Sequence, residues 1–281
     1  MANEQQHEYW NGEAGARWAA EDETMATLLR PIAADLLAHL GPAPGSHALD
    51  IGCGGGSQSV QLAEHIGAGG QVLGVDISAP MLAIARGRAV PAGAASVSFL
   101  EADAATHAFA AASLDLLFSR FGVMFFDDPV AAFSNMRKAL KSDGRLGFCC
   151  WQGMQQNQWT MLPVQAALRH VAPPEAPDPH APGPFAFADP ERVESILTAS
   201  GFGDVAIAPH AVIMTFGNGG DLRATVAELM MLGPVSRLLV DEPPETKARI
   251  IDDATEVMAP FFRGGKLELA GAVWFVTGRA A

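Results

Sequence analysis

Basic residues are scarce: 18 Lys and Arg stand against 31 Asp and Glu in 281 residues, a formal charge of −13. A nucleic-acid-binding surface neutralises phosphates with clustered cations, and here the few cations are spread thinly with no patch, so no nucleic-acid partner is expected. Cysteine is equally sparse. Cys53, Cys149 and Cys150 show no zinc or redox spacing, and adjacent residues on a strand point to opposite faces, so all three are expected to be reduced and structural. No apolar run approaches membrane length, and the start, Met1 to His7, has neither a basic nor an apolar leader region. A cytoplasmic protein without a membrane span follows as the expectation. No internal repeat is evident. What remains is a chain 49% hydrophobic and only 17% charged, ordinary for an α/β chain and long enough for one large core or a core plus a lid.

The most informative stretch is Ala48-Leu49-Asp50-Ile51-Gly52-Cys53-Gly54-Gly55-Gly56-Ser57. An apolar strand ends in a carboxylate and runs into glycines that open a helix, read from about Ser57 to His65. Glycines let the backbone take positive φ and approach a ligand closely, and the helix start offers free N–H groups. Gly-rich turns of this kind serve several nucleotide ligands. A dinucleotide fingerprint, however, puts a third glycine where Ser57 stands, and the Asp50 carboxylate would repel a pyrophosphate while suiting a ligand with positive charge. S-adenosylmethionine, with its ammonium and sulfonium, is such a ligand. Gln71 to Asp76 reads as a second buried strand ending in an acid placed to grip a ribose diol. It is followed by an N-cap and proline at Ser78-Ala79-Pro80-Met81. A third strand, Ser96 to Leu100, leads to Glu101-Ala102-Asp103-Ala104, where an acid accepts from an adenine amino group.

With these motifs the chain resembles the class I S-adenosylmethionine-dependent methyltransferases. The likeness rests on Leu49 to Gly56, Gly74-Val75-Asp76-Ile77-Ser78, Glu101 to Ala104, Leu114 to Ser119 and Leu140 to Leu146, in the family's order and spacing over roughly residues 45 to 151. It is most similar to the small-molecule branch that includes ubiquinone and menaquinone C-methyltransferases. One departure is Ser142-Asp143-Gly144, where the family commonly has proline and glycine in a turn. The resemblance implies a doubly wound α/β fold with a seven-stranded sheet and an antiparallel C-terminal edge. It also implies S-adenosylmethionine as cofactor, no metal, and donor contacts from Tyr9, Trp18, Asp50, Gly52, Cys53, Gly54, Asp76, Ile77, Met81, Asp103, Ala104 and Ser119.

Four regions are expected: an N-terminal helical lid at 1–44, the donor-binding core at 45–151, an acceptor-site cover at 152–189, and a C-terminal part of the core at 190–281 with a helical insertion at about 217–263. Within them, Pro31 is expected to start a new helix or kink the old one. A helix is read from about Pro129 to Leu140 and a fifth strand from Arg145 to Trp151. Residues 173–184 hold six prolines and read as an extended loop. A helix from Pro190 to Ser200 has Asp189 as its N-cap, and strands at 204–216 and 267–277 form the antiparallel edge. Insertions beyond the carboxyl ends of such strands build acceptor pockets, so 152–189 and 217–263 are read as an active-site cover.

Methyl transfer is an in-line displacement in which alignment alone supplies roughly 7 to 11 kcal/mol; only loss of an acceptor proton needs a base. His7, His170, His180 and His210 are the candidates, with His170 first because it lies in the cover. After the fourth strand the run Arg120-Phe121-Gly122-Val123-Met124-Phe125-Phe126 lacks both the Asn/Asp-Pro-Pro-aromatic motif of amide and adenine methyltransferases and the metal-binding Asp of catechol-type enzymes. It favours a small, largely apolar acceptor such as an aromatic, quinone or polyketide-like molecule, contacted by Phe121, Met124 and Trp159. The alternative is that Phe121, Met124 and Phe125 fill the core. Tyr9 and Trp18 either close over the donor, where an aromatic face attracts a sulfonium, or staple the N-terminal helix to the core. Two rival functions keep the same fold: non-methylation chemistry on an adenosylmethionine site, or a non-catalytic ligand-binding subunit. The sequence leaves monomer and homodimer both open.

Overall fold

A computed structural model describes residues 3–174 and 178–280. Met1, Ala2 and Pro177, which entered the readings of the chain start and the proline-rich loop, lie outside them. Three helices, α1 (Glu4–Asn11), α2 (Glu13–Ala20) and α3 (Asp22–Leu40), precede an alternation of strands and helices. This runs β1 (His47–Ile51), α4 (Ser57–Ile66), β2 (Gln71–Asp76), α5 (Ala79–Gly87), β3 (Ser96–Glu101), β4 (Leu114–Arg120), α6 (Pro129–Arg137) and β5 (Leu140–Trp151). Next come α7 (Gln158–Ala167), α8 (Pro190–Ala199), β6 (Phe202–Phe216), α9 (Leu222–Leu229), α10 (Gly233–Leu239), α11 (Pro244–Met258), β7 (Phe262–Arg263) and β8 (Lys266–Ala280).

The sheet runs β3-β2-β1-β4-β5-β8-β6, with the short β7 paired antiparallel to β8. Strands β1 to β5 are parallel and the C-terminal edge is antiparallel. Crossover helices bury such a sheet on both faces, which is why Ala48 to Ile51 on β1 are all buried. At its C-terminal end the central pairing sets Ile51 against Val75 on β2, and Asp50 against Phe118 on β4. The strand ends that carry the glycine turn and Asp76 are thereby adjacent.

Two compact units make up the chain. One comprises Met1–Cys150, His180–Pro209 and Trp274–Ala281; the other comprises Trp151–Pro179 and His210–Val273. In the first, Phe133, Phe148, Phe187 and Phe202 form an aromatic core, with Phe133 stacked on Phe148 at 5.8 Å. In the second, α7 packs on α10 and α11, and α11 on α9. Buried Asn157 braces that unit. Its side-chain amide donates to the carbonyls of Gln152, Gly153 and Ala272 and accepts from Ala272 N–H at 3.0 Å. Among the described residues no helix is long and apolar enough to cross a membrane.

Two local expectations are corrected. Pro31 does not start a new helix, the first of the two alternatives, because it sits inside continuous α3. A proline there removes one N–H and costs about 3 kcal/mol, yet Leu29, Ile32, Ala33, Leu36 and Leu37 around it are all buried, and their packing holds the helix through it. Ser142-Asp143-Gly144 is not a turn before the fifth strand but part of β5. Leu140 pairs with Leu114 and Arg145 with Leu116, so β5 takes five steps where β4 takes two, a bulge that absorbs the extra residues. The described part of the proline-rich loop contains no helix or strand, and Asp189 caps α8 by accepting from Glu191 N–H at 3.0 Å.

Candidate functional site at the glycine turn

The turn after β1 hangs on the end of β2. Val75 C=O accepts from Gly52 N–H at 2.9 Å and Cys53 N–H at 3.1 Å, while Asp76 Oδ2 accepts from Gly54 N–H at 2.8 Å and its Oδ1 from Ser78 N–H at 2.9 Å. Asp76 therefore ties together the first two strand-end loops while remaining half-buried. Burial raises its pKa despite the backbone donors of Ser78, Gly54 and Ile77. Gly52 is required on two counts: its φ is +66°, and a Cβ there would lie 2.7 Å from Gly122 Cα. The β1 and β4 loops thus cross backbone on backbone. Ser119 fixes that crossing, donating from Oγ to Ile51 C=O at 2.7 Å and accepting from Gly122 N–H at 3.1 Å. The next residue but one, Phe121, takes φ +65°, unusual for a side-chain-bearing residue and a mark of a constrained site.

Asp50 has a different environment from the one expected. Rather than facing a cationic ligand it is wholly buried, and its oxygens accept from Gln58 Nε2 at 2.7 Å and Ser59 Oγ at 2.5 Å. Burial pushes its pKa up to about 6, although Ser59, Gln58 and the Arg120 charge pull the other way. The physical reason is local: α4 presents two donors within its first turn, and the carboxylate turns inward to meet them. Ser119, likewise expected to contact the donor, is fully buried with its hydroxyl spent on Ile51 and Gly122.

A second ring of charge surrounds the turn. Asp22, at the start of α3, lies against Gly55 and is bridged by Arg88, which also donates to Gly55 C=O. Arg120, ending β4, interacts electrostatically with Cys149, Asp50, Asp22 and Arg88, and burial lowers its pKa. Its Nε and Nη1 are buried with no hydrogen-bond partner among the described residues. No sequence motif pointed to Asp22, Arg88 or Arg120, since each is a single charge remote in sequence from the glycines.

Helices α1 and α2 are strapped over the loops at the carboxyl ends of the strands. Asn3 receives Asp127 N–H at 2.8 Å on its Oδ1 and donates from Nδ2 to Asp103 Oδ1 at 3.0 Å. Asn11 donates to Ile77 C=O at 2.8 Å and accepts from Ala79 N–H at 2.9 Å. Of the expected lid aromatics, Trp18 is half-buried, whereas Tyr9 is 41% exposed and turned outward. Trp10 takes the inner place, edge-on to Trp18 at 5.9 Å and to Phe125 at 5.6 Å. On a helix, neighbouring residues lie about 100° apart, so one ring faces inward only if the other does not.

The remaining candidates divide. Met81 is buried against Gly54, Cys53 packs with Leu82, Ala85 and Phe99, and buried Ala104 accepts from Asn135 through its carbonyl. The Cys53 thiol is pushed well up by burial and the Cys149 thiol up to about 12, so neither ionises as a nucleophile. Met124 is buried at 2% exposure, and its carbonyl accepts Gly183 N–H at 3.1 Å. Trp159 and His170 belong to the second unit. Trp159 packs on Trp151 at 4.9 Å, and His170 Nε2 lies 2.9 Å from Asp253 Oδ2, joining the end of α7 to α11. His170, expected as the first candidate base, is thus held in a helix-to-helix pair that also draws the Asp253 carboxyl below its ordinary range.

A glycine turn, a half-buried acid on the neighbouring strand and, beyond it, an arginine with two buried nitrogens unpartnered among the described residues together fit a ligand that carries a diol and a zwitterionic tail. The comparisons agree. Residues 49–148 match a family model described as a methyltransferase domain. The chain is 29% identical over 272 residues to nocamycin O-methyltransferase of Saccharothrix syringae, covering 92% of this chain and 94% of that one. It is 37% identical over 107 residues to an aklanonic acid methyltransferase of Streptomyces; that match spans 38% of this chain and about half (49%) of the relative. Among solved structures, Haemonchus contortus phosphoethanolamine N-methyltransferase 2 in complex with S-adenosyl-L-methionine superposes with a TM-score of 0.52 at 20% identity, over 89% of this chain and 53% of that chain.

Proposed function

Since the chain is a class I S-adenosylmethionine-dependent methyltransferase, we propose that it methylates a small, largely apolar acceptor of aromatic, quinone or polyketide type. The match to nocamycin O-methyltransferase carries this reading, because it extends over 92% of the chain and not only over the donor-binding part. When bound, S-adenosylmethionine supplies a methyl group already activated by its sulfonium charge. Asp76 then grips the ribose diol through charge-assisted hydrogen bonds, while Gly52, by letting the β1 and β4 loops cross, fixes the turn on which the donor lies and Asp103 accepts from the adenine amino group. Trp10 and Trp18 shield the donor side from water. Alignment and exclusion of water make up most of what such a transfer needs from its protein. Phe121 and Phe125, in the loop after β4, offer the acceptor an apolar face with buried Met124 behind them, and a formal charge of −13 discourages polyanionic acceptors.

The test is adenosylhomocysteine release by the purified protein with a panel of acceptors: a naphthoquinol, a hydroxyanthraquinone and a linear polyketide acid, set against phosphoethanolamine and guanidinoacetate. Turnover confined to the first three supports the reading. Turnover of the small polar acceptors alone refutes it, and consumption of an apolar substrate without adenosylhomocysteine points to non-methylation chemistry.

A further inference from the structure

We propose that Arg120 is the counter-ion of a ligand carboxylate, the α-carboxylate at the methionyl end of the donor. The inference deepens the donor site and is independent of the acceptor class. Arg120 keeps its charge at any ordinary pH, and buried charges in proteins are normally paired and hydrogen-bonded. Here they are not: Nε and Nη1 are buried without a hydrogen-bond partner among the described residues. Both acids whose fields reach Arg120 are spent elsewhere, Asp50 on Gln58 and Ser59 and Asp22 on Arg88. The end of β4 thus holds a cation with two nitrogens unpartnered among the described residues, beside carboxylates that are occupied. A planar carboxylate matches guanidinium donors better than any other common anion except phosphate, and the surrounding acids disfavour phosphate's second charge.

The position of Arg120 selects the donor's carboxylate over one on the acceptor. In the sheet, β2 and β4 flank β1 on opposite sides, so the ends of β2 and β4 are about 10 Å apart, two strand spacings. Asp76 ends β2 and Arg120 ends β4. A ligand held by its ribose at Asp76 and laid across the glycine turn brings its methionyl tail to the end of β4. Ser119 and Gly122, on either side of Arg120, are the residues that lock this strand end to Ile51 and Gly52, so the guanidinium is borne on backbone fixed relative to the turn.

Calorimetry with two ligands tests this: adenosylhomocysteine, which carries the carboxylate, and 5′-methylthioadenosine, which keeps the adenosyl part and lacks it. Arg120→Gln should weaken adenosylhomocysteine at least tenfold and leave methylthioadenosine unchanged, with Arg120→Lys between wild type and Arg120→Gln. The rise in melting temperature on adding adenosylhomocysteine should shrink in Arg120→Gln, and that on adding methylthioadenosine should not. Equal losses for both ligands would make Arg120 a structural residue of the strand end and overturn the proposal. Unchanged adenosylhomocysteine affinity would also overturn it, leaving the cation to an acceptor carboxylate. If wild type bound neither ligand, the donor site itself would be misplaced, a failure distinct from either.

Discussion

Asp50→Asn should make the protein more stable at neutral pH than at pH 4, relative to wild type. The carboxyl lies fully buried between Gln58 and Ser59, and its pKa rises from 3.8 to about 6. Below pH 4 it is protonated in both the folded and the unfolded chain; above pH 6 it is ionised in both. Between those limits the folded protein binds the proton more tightly, so folding stability falls as pH rises from about 4 to 6 and stays lower beyond it. The separation of the two values corresponds to about 3 kcal/mol. Asparagine keeps the geometry, with its oxygen accepting from Gln58 and its amide donating to Ser59 Oγ, and carries no charge to desolvate. Urea unfolding of both proteins at pH 4, 5, 6, 7 and 8 gives the comparison. Titrating groups remote from Asp50 are common to both proteins and cancel in the difference, whereas Asp76 and Arg120, whose fields reach Asp50, respond to the substitution and belong to the measured effect. The difference should rise in favour of the variant by about 3 kcal/mol across the window. A difference that does not change with pH would show that Asp50 titrates normally and that its burial costs nothing.

Asp76→Ala should weaken adenosylhomocysteine by more than tenfold in calorimetry and also lower the melting temperature, because Gly54 and Ser78 N–H lose their acceptor at about 1–3 kcal/mol each. Gly52→Ala should destabilise urea unfolding by about 2 kcal/mol or more, combining a left-handed φ of +66° with the collision on Gly122. Asn11→Ala should speed limited proteolysis within residues 3–21, since both hydrogen bonds to the loop after β2 are lost. His170→Ala should leave kcat within about twofold, its ring being engaged by Asp253; a loss of a hundredfold would restore it as the base.

Elements whose signals are local were readable in advance. Strand β2 runs from Gln71 to Asp76 as expected, because an apolar run closed by an acid and an N-cap leaves little room for another register. Helix α8 begins at Pro190 behind Asp189 for the same reason. What could not be read depends on partners distant in the chain. Whether Asp50 faces a ligand or the interior is decided by Gln58 and Ser59. Whether Tyr9 or Trp10 turns inward is decided by Trp18 and Phe125. The survival of α3 through Pro31 is decided by how much of its length is buried. Arg120 is the extreme case, since its significance lies in two nitrogens left without a hydrogen-bond partner among the described residues, which no local pattern encodes.

The strap made by the N-terminal helices bears on how the protein is synthesised. Asn3 bonds to Asp127 and Asp103, and Asn11 to Ile77 and Ala79, so the earliest described residues wait for partners translated up to 124 positions later. At about 5–20 residues per second, that interval is about 6–25 s. During it α1 and α2 meet the loop after β2 and helix α5 as soon as residues 77–87 are made, while Asn3 still waits for Asp103 and Asp127. A nascent chain arrested between residues 87 and 103 should therefore hold α1 at its Asn11 end and leave its Asn3 end undocked.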